Sequence, residues 1–424
     1  MKKAKTMKTP QILSINANKK YFSGTTEKNS VSYKVGEEIV FNVALKADGS
    51  AVGCECFRWR LSADDGSESE GISCGETGTL EIKTMLKKEG FVRLNVKACH
   101  ANGEPIEGVA EYNGGAGANI EEIAKIKDEP NDFDEFWQRQ LSRLDNVTPE
   151  LLECEEVEAP QDSHIGYKVK LGFYEGDYGN YVSGYITVPR NASCGKVKIK
   201  MWYNGYGIMD PDMYCEADTA IFTVNAHSIE VGMPPEYYRD QPQLAGYGFL
   251  NNDDPGKVYF KEMLLRDVQA LRFMKSYFGE QGTDKRLAGL WNGEIDIVGG
   301  SQGGFQAVAV AVLESEGVKK LGAYCPWLCD IGGYGVNGRQ RSNFMPEYTP
   351  ALEYFDTVNF AKRIRSDCRV TVGTVGLGDY TANPAGNTAL YNSIPQAVSK
   401  EIVYIQNRTH AILPVEELSY KIHN

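Results

Sequence analysis

The pattern of apolar and polar positions changes character near residue 130. Before it, from Gln11 to about Val109, short segments alternate with period two, and glycine-rich turns separate them. Ser32 to Leu45 reads as a turn followed by such a strand, Phe57 to Leu61 alternates in the same way, and Phe91 to Ala98 does so again. Successive side chains of a strand point to opposite faces, so period two marks a sheet with one buried face. Strands at roughly ten-residue spacing predict an immunoglobulin-like β-sandwich over residues 10–110, and Trp59 on a central strand fits its core. Residues 1–9 read as a disordered basic tail. Residues 111–130 are glycine-rich, then charged, and end at Pro130, so they read as a linker.

The region 131–424 has a different rhythm. Asp132 to Leu141 has an acidic first turn and apolar residues at helical spacing. Tyr167 to Tyr174 and Tyr181 to Val188 read as an antiparallel pair around the turn 176–180. Val197–Tyr203 and Thr219–Val224 read as buried strands. Phe260 to Phe278 carries Met263, Leu264, Val268, Leu271 and Met274 at the spacing of a long amphipathic helix. Further strands are expected at Glu294–Val298, Lys320–Cys325, Arg369–Thr374 and Glu401–Ile405. Strands that alternate with helices and are apolar on both faces predict a mostly parallel sheet with helices on each side.

Within that sheet one stretch carries chemistry. The strand ending at Val298 runs into Gly299-Gly300-Ser301-Gln302-Gly303, and an alanine- and valine-rich segment follows. Strand, sharp turn and helix around Gly-x-Ser-x-Gly form the elbow that presents a serine oxygen at the end of an α/β-hydrolase sheet. The plain alternative is a glycine turn with a solvated serine. The flanking strand and helix favour Ser301 as a nucleophile, and the predicted class is α/β, an α/β-hydrolase preceded by a β-sandwich.

A serine hydroxyl needs a base, and the base needs an orienting acid, in the chain order Ser, Asp or Glu, His. Of five histidines, His100, His164 and His227 precede Ser301, and His423 is the penultimate residue, expected to fray. His410 remains, in a loop after a strand. Asp379 follows the strand Arg369–Thr374 in a glycine-rich exit, whereas its competitors Asp356 and Asp367 precede that strand. The oxyanion of a tetrahedral intermediate needs backbone N–H donors. Gln302 offers one, directly after the serine, and Tyr206, between Gly205 and Gly207, offers the second. A glycine turn with an exposed tyrosine is the plain alternative there.

Composition narrows the partners. A formal charge of -12 gives no footprint for nucleic acid. No run approaches the roughly 20 apolar residues of a membrane span. The basic start Met1 to Lys8 lacks the apolar stretch of a signal peptide, so a cytoplasmic location is the default, and an extracytoplasmic one applies if a native signal was removed. The ten cysteines show no zinc-ribbon spacing and are expected to be mostly reduced and buried, with a disulfide in the N-terminal region as the lesser alternative. The histidines show no His-x-x-x-His spacing, and neither a metal nor another cofactor is expected.

Several stretches together resemble carbohydrate esterase family 7, the acetyl xylan esterases and cephalosporin C deacetylases. They are Gly299–Gly304, Asn204–Gly207, Cys325–Asp330, Tyr354–Ala361, Val375–Asp379 and Asp132–Trp137. The similarity spans roughly residues 125–415 and leaves out the sandwich. It implies Ser301, Asp379 and His410 as the catalytic set, with Tyr206 and Gln302 as oxyanion donors. It also implies removal of acetyl groups from small acetylated sugars without a cofactor, and a homo-oligomer. Two departures stand out. Asn225-Ala226-His227 replaces the family's Arg-Gly-Gln, and Ala411 replaces the glutamate after the histidine. The chain ends soon after His410, so a short last helix is expected. A peptidase or longer-acyl esterase on the same scaffold is the alternative enzyme. A carbohydrate-binding protein that uses the sandwich is the non-catalytic one.

Overall fold

In the computed structural model, residues 20–75, 78–282, 284 and 286–424 are described; the expected tail at 1–9 and the start of the sandwich at 10–19 lie outside them. The N-terminal region forms two antiparallel sheets. One holds β1 (Tyr21–Thr26), β2 (Glu38–Ala47), the short β3 (Ser50–Ala51) and β6 (Thr79–Met85). The other runs β5 (Glu68–Cys74), β4 (Cys56–Ala63), β7 (Gly90–Cys99), β8 (Tyr112–Ala118). Ile39, Phe41, Phe57, Leu94 and Tyr112 fill the space between them, as alternation requires. Trp59 is not central to this core. It lies half-buried at its margin, across the sheet from Gly71, where its ring occupies the space a Cβ would need.

One expectation needs correction here. Residues 112–118 are strand, not linker: β8 pairs with β7 from Tyr112 to Ala118. The glycines that read as a linker are there because neighbours come too close for side chains, as described below. Cys56 and Cys74 stand directly opposite each other on β4 and β5 and form a disulfide, the lesser alternative for the N-terminal region, while the other eight cysteines are free. Period and spacing cannot reveal which cysteines a register brings together.

The second region is built on a ten-stranded sheet. It comprises β9 (Leu151–Val157), β10 (His164–Gly176), β11 (Gly179–Pro189), β12 (Val197–Tyr203), β13 (Thr219–Val224), β14 (Trp291–Gly300), β15 (Val318–Tyr324), β16 (Arg369–Gly376), β17 (Lys400–Ile405) and β18 (Ser419–His423). The spatial order is β18-β17-β16-β15-β14-β12-β13-β11-β10-β9. The six strands from β17 to β13 are parallel, and antiparallel strands flank them at both edges. This is the α/β-hydrolase sheet. The helices are α1 (Phe133–Ser142), α2 (Pro235–Arg239), α3 (Tyr259–Phe278), α4 (Gln302–Leu313), α5 (Thr357–Ala361) and α6 (Pro384–Ser393).

Two elements differ from the pattern reading. After His410 the chain forms no last helix; β18 adds to the sheet edge instead, and His423 is paired opposite Glu401, not frayed. The polar side of α3 does not face solvent. Glu262 accepts from the Asp177 and Tyr178 amides of the β10–β11 turn, Gln269 donates to the Gly172 carbonyl, and Arg266 donates to the Ala226 carbonyl. Buried loop and strand ends must satisfy their backbone groups, and α3 supplies the partners.

The sandwich meets the larger sheet through polar groups at the ends of β16 and β17. Gln406, one residue past β17, accepts from Gly115 N and donates to Gly115 O, each at 2.9 Å. Asn407 accepts from the Asn113 amide and donates to the Phe22 carbonyl. A Cβ on Gly378 would come within 2.2 Å of the Asn113 carbonyl, and one on Gly115 within 2.6 Å of the Leu377 carbonyl. Arg93, fully buried on β7, lies with its guanidinium 3.9 Å from the ring centre of Tyr380.

The disulfide gives a direct test. Thiol titration of the unfolded, unreduced protein should count eight free cysteines and rise to ten after reduction. Closing a loop of this size contributes about 3 kcal/mol, so reduction should lower the unfolding midpoint measurably. A count of ten before reduction would refute the pairing.

Candidate active site

Ser301 sits between β14 and α4 with φ +57° and ψ -121°, a conformation that costs a residue with a Cβ about 1–3 kcal/mol. Close backbone packing holds it there. A Cβ on Gly299 would lie 2.1 Å from the Gly303 carbonyl oxygen, and a Cβ on Gly303 would lie 2.1 Å from the Tyr203 carbonyl oxygen at the end of β12. The Ser301 amide donates to Tyr324 O at the end of β15. Its carbonyl accepts from Gly304, Phe305 and Trp327. The helix that follows is apolar nearly all round and buried over most of its length, so it is pinned between neighbours and cannot relax the turn.

His410 and Asp379 reach this serine from the loops after β17 and β16. Asp379 is buried. Its Oδ1 accepts from the amides of Thr381 and Ala382 at 2.7 and 2.9 Å, leaving Oδ2 2.8 Å from His410 Nδ1. His410 Nε2 lies 2.8 Å from Ser301 Oγ. The acceptor-only carboxylate places the ring proton on Nδ1, so Nε2 accepts from the serine hydroxyl. A chain of this geometry can take a proton from the hydroxyl and hold the resulting imidazolium.

The rival residues are elsewhere. Asp356 accepts from the Asp330, Ile331 and Val358 amides and fixes the loop after β15. Asp367 pairs with Lys319 and Arg365 at the surface. His164 meets the Glu216 carbonyl, and His100 is exposed beside Glu55. The Cys325–Asp330 and Tyr354–Ala361 stretches are thereby explained as scaffold. Cys325, Leu328 and Asp330 all have positive φ, and Asp356 and Thr357 tie that strained loop down.

The loop Asn204–Gly207 passes directly over the serine: a Cβ on Gly205 would lie 3.8 Å from Ser301 Cβ. Tyr206 is not an exposed turn tyrosine. Its ring stacks on Tyr247 at 4.5 Å and meets Trp327 and Phe344 edge-on. Phe249 and Phe344 complete an aromatic wall. Gln302 opens α4, so its amide is one of the unpaired donors at that helix N-terminus. Its buried side chain accepts from the Tyr247 hydroxyl at 2.6 Å.

The departure at Asn225-Ala226-His227 acquires a role here. His227 is fully buried. Its Nε2 lies 3.0 Å from the Gly207 carbonyl, and its Nδ1 lies 2.6 Å from the Tyr259 hydroxyl, which also accepts from Arg266. The Gly207 amide in turn donates to Tyr247. Both polar groups of Gly207 are therefore fixed from behind. Burial pushes the His227 imidazole down to about 4, so it stays neutral and donates from Nε2. Sequence order alone discarded His227. Its signal was the unusual triplet, and only the packed position shows what it does.

An α/β-hydrolase sheet with this serine elbow defines the class, and the comparisons agree with it. The family model for acetyl xylan esterase (AXE1) matches residues 118–333 and 341–422. The chain belongs to that family, and is with it a carboxylic ester hydrolase. It is 26% identical over 335 residues to acetyl esterase Axe7A of Xylanibacter ruminicola, covering 74% of this chain and 70% of that protein. The structure of an acetyl xylan esterase from Paenibacillus sp. R4 superposes with a TM-score of 0.53 at 22% identity, over 69% of this chain and 94% of that one, a likeness of fold. Among the described residues no helix is long and apolar enough to cross a membrane.

His227 supplies a pH test. Its folded value of about 4 lies below the ordinary 6.5, so between them the unfolded chain binds the extra proton. Stability present above pH 6.5 should be lost as pH falls toward 4, by up to roughly 3 kcal/mol. His227→Gln keeps a donor and an acceptor without the titration. Urea unfolding at several pH values should show the acid loss in the parent and a smaller one in the variant. Equal losses would remove His227 from the account.

Proposed function

We propose that the protein is a serine esterase that removes acetyl groups from small acetylated sugars, xylan-derived fragments among them. The reading rests on one observation above all, the unbroken Ser301–His410–Asp379 hydrogen-bond chain at the strained turn after β14. Ser301 Oγ attacks the ester carbonyl carbon while His410 Nε2 takes its proton. Asp379 holds the imidazole in the required tautomer and balances its charge. Negative charge develops on the carbonyl oxygen, where the amides of Tyr206 and Gln302 donate to it, the second reinforced by the N-terminus of α4. His410 returns the proton to the departing sugar hydroxyl, leaving an acetyl-enzyme. Water then repeats the sequence and releases acetate.

The aromatic wall supports a sugar as the leaving group. Phe249, Phe344 and Tyr206 offer faces and edges on which the C–H side of a pyranose ring can pack, and Phe249 is partly exposed. The family and the acetyl esterase of Xylanibacter ruminicola point the same way.

Ser301→Ala should lower turnover of p-nitrophenyl acetate by about 10⁴-fold or more while the circular dichroism stays that of the parent. Near-parental hydrolysis by that variant would defeat the mechanism. Acetate release from acetylated xylo-oligosaccharides, monosaccharide acetates and cephalosporin C, set against longer acyl esters and a peptide amide, tests the substrate. Preference for long acyl chains or the amide would favour a longer-acyl esterase or peptidase.

A further inference from the structure

A thiol that this mechanism does not use stands beside its acid and base. Cys325 directly follows β15, with φ +37° and its amide donating to Gly373 O at 2.8 Å. Its Sγ, a carboxylate oxygen of Asp379 and a ring nitrogen of His410 all lie within 4.8 Å of one another. The three groups come from three loops, after β15, β16 and β17, which converge at the same end of the sheet. No other group of three such ligands gathers this closely among the described residues. Cys325 and His410 are each only partly buried, whereas Cys54, Cys99, Cys215, Cys329 and Cys368 are buried.

Burial and the Asp379 carboxylate push the Cys325 thiol up to about 11. At neutral pH it therefore keeps its proton and does not compete with Ser301 as a nucleophile. A cation that binds sulfur strongly changes that balance. Thiolate, imidazole and carboxylate with one open position is a zinc-type donor set. Bonds of about 2.0–2.3 Å place tetrahedral ligands roughly 3.5 Å apart, so the loops would close by about an ångström. Thiolate selects soft ions over magnesium or calcium.

We propose that Cys325, Asp379 and His410 form an inhibitory site for a soft divalent cation, Zn²⁺ or Cd²⁺, with water in the fourth position. The metal–sulfur, metal–oxygen and metal–nitrogen bonds form, the S–H bond breaks, and its proton goes to solvent. Nothing is oxidised or reduced. Thiolate and carboxylate together neutralise the ion, while Arg408, the cation felt by this thiol, opposes part of the attraction. The bound ring nitrogen no longer serves catalysis. Binding through Nδ1 requires the ring proton to move to Nε2 and breaks the bond to Asp379, and binding through Nε2 leaves the proton on Nδ1 and breaks the bond to Ser301. The loss of activity rests on the esterase mechanism proposed above; the binding itself does not.

The test titrates the full chain, stripped of metal by a chelator, with CdCl₂ and ZnCl₂. It follows the ultraviolet cadmium–thiolate absorption and, separately, hydrolysis of p-nitrophenyl acetate. One equivalent of cadmium should produce the absorption and cut hydrolysis about tenfold or more. EDTA should reverse both, and magnesium should do neither. In C325S and C325A the absorption should vanish, and the inhibition constant, taken against each variant's own metal-free rate, should rise about tenfold or more. A C154S/C194S variant, which removes the exposed thiols, should behave as the parent. Unchanged absorption or inhibition in the Cys325 variants, or loss of both in C154S/C194S, would overturn the site. Absence of absorption with normal hydrolysis would overturn the site and leave the esterase reading standing. Absorption with undiminished hydrolysis would uphold the site and count against His410 as the base. Should the Cys325 variants fail to fold, cadmium must protect Cys325 of the parent from iodoacetamide, read by peptide mapping; unprotected alkylation would again refute the site.

Discussion

The backbone turn at Ser301 is the constraint on which the rest depends. A residue with a side chain is held at positive φ only because its surroundings leave no alternative. Here those surroundings are main chain: the Tyr203 carbonyl against Gly303, and the Gly303 carbonyl against Gly299. That contact fixes β12, β14 and α4 relative to one another. The ends of β15, β16 and β17 then fall around the serine, since parallel strands in register finish at one edge. The Asp379 and His410 loops meet Ser301 from that edge at hydrogen-bonding distance.

Behind the loop Asn204–Gly207 lies a polar interior. His227, Tyr247, Tyr259, Arg266, Gln302 and Gln306 connect Gly207 to α3 and α4, and the chain ends at Asp267, which accepts from Gln306 at 2.7 Å. Burial pushes the Asp267 carboxyl up, so its desolvation is the cost of a network that fixes one backbone geometry in front. His227 contributes one donor toward the loop and one acceptor toward the interior.

Much of this was legible in the sequence. Ser301, Asp379 and His410 were reached by motif, strand order and elimination, and the structure places them in contact. The α/β-hydrolase core was legible because buried parallel strands are nearly uniform in apolar character, and Val197–Tyr203 and Thr219–Val224 were found to the residue. What stayed hidden depended on long-range pairing. The strand β18 is short and half-exposed, so it resembles a tail. The disulfide needs the β4–β5 register. The polar face of α3 signals solvent by its composition, yet it is spent on the backbone of a hairpin nearly a hundred residues away in sequence. The glycines at 114, 115 and 117 look like flexibility and are instead places of contact.

That contact has a consequence for inheritance. Gln406 stands four residues before His410, and its side-chain amide finishes the hydrogen bonding of Gly115 on the sandwich. The Asn113 carbonyl fills the space beside Gly378, one residue before Asp379. A recombination event that exchanged the sandwich for an unrelated module would strip partners from both loops at once. The two halves are therefore fitted to each other at this contact. A change on β8 at Asn113 or Gly115 would therefore reach the loops that carry Asp379 and His410.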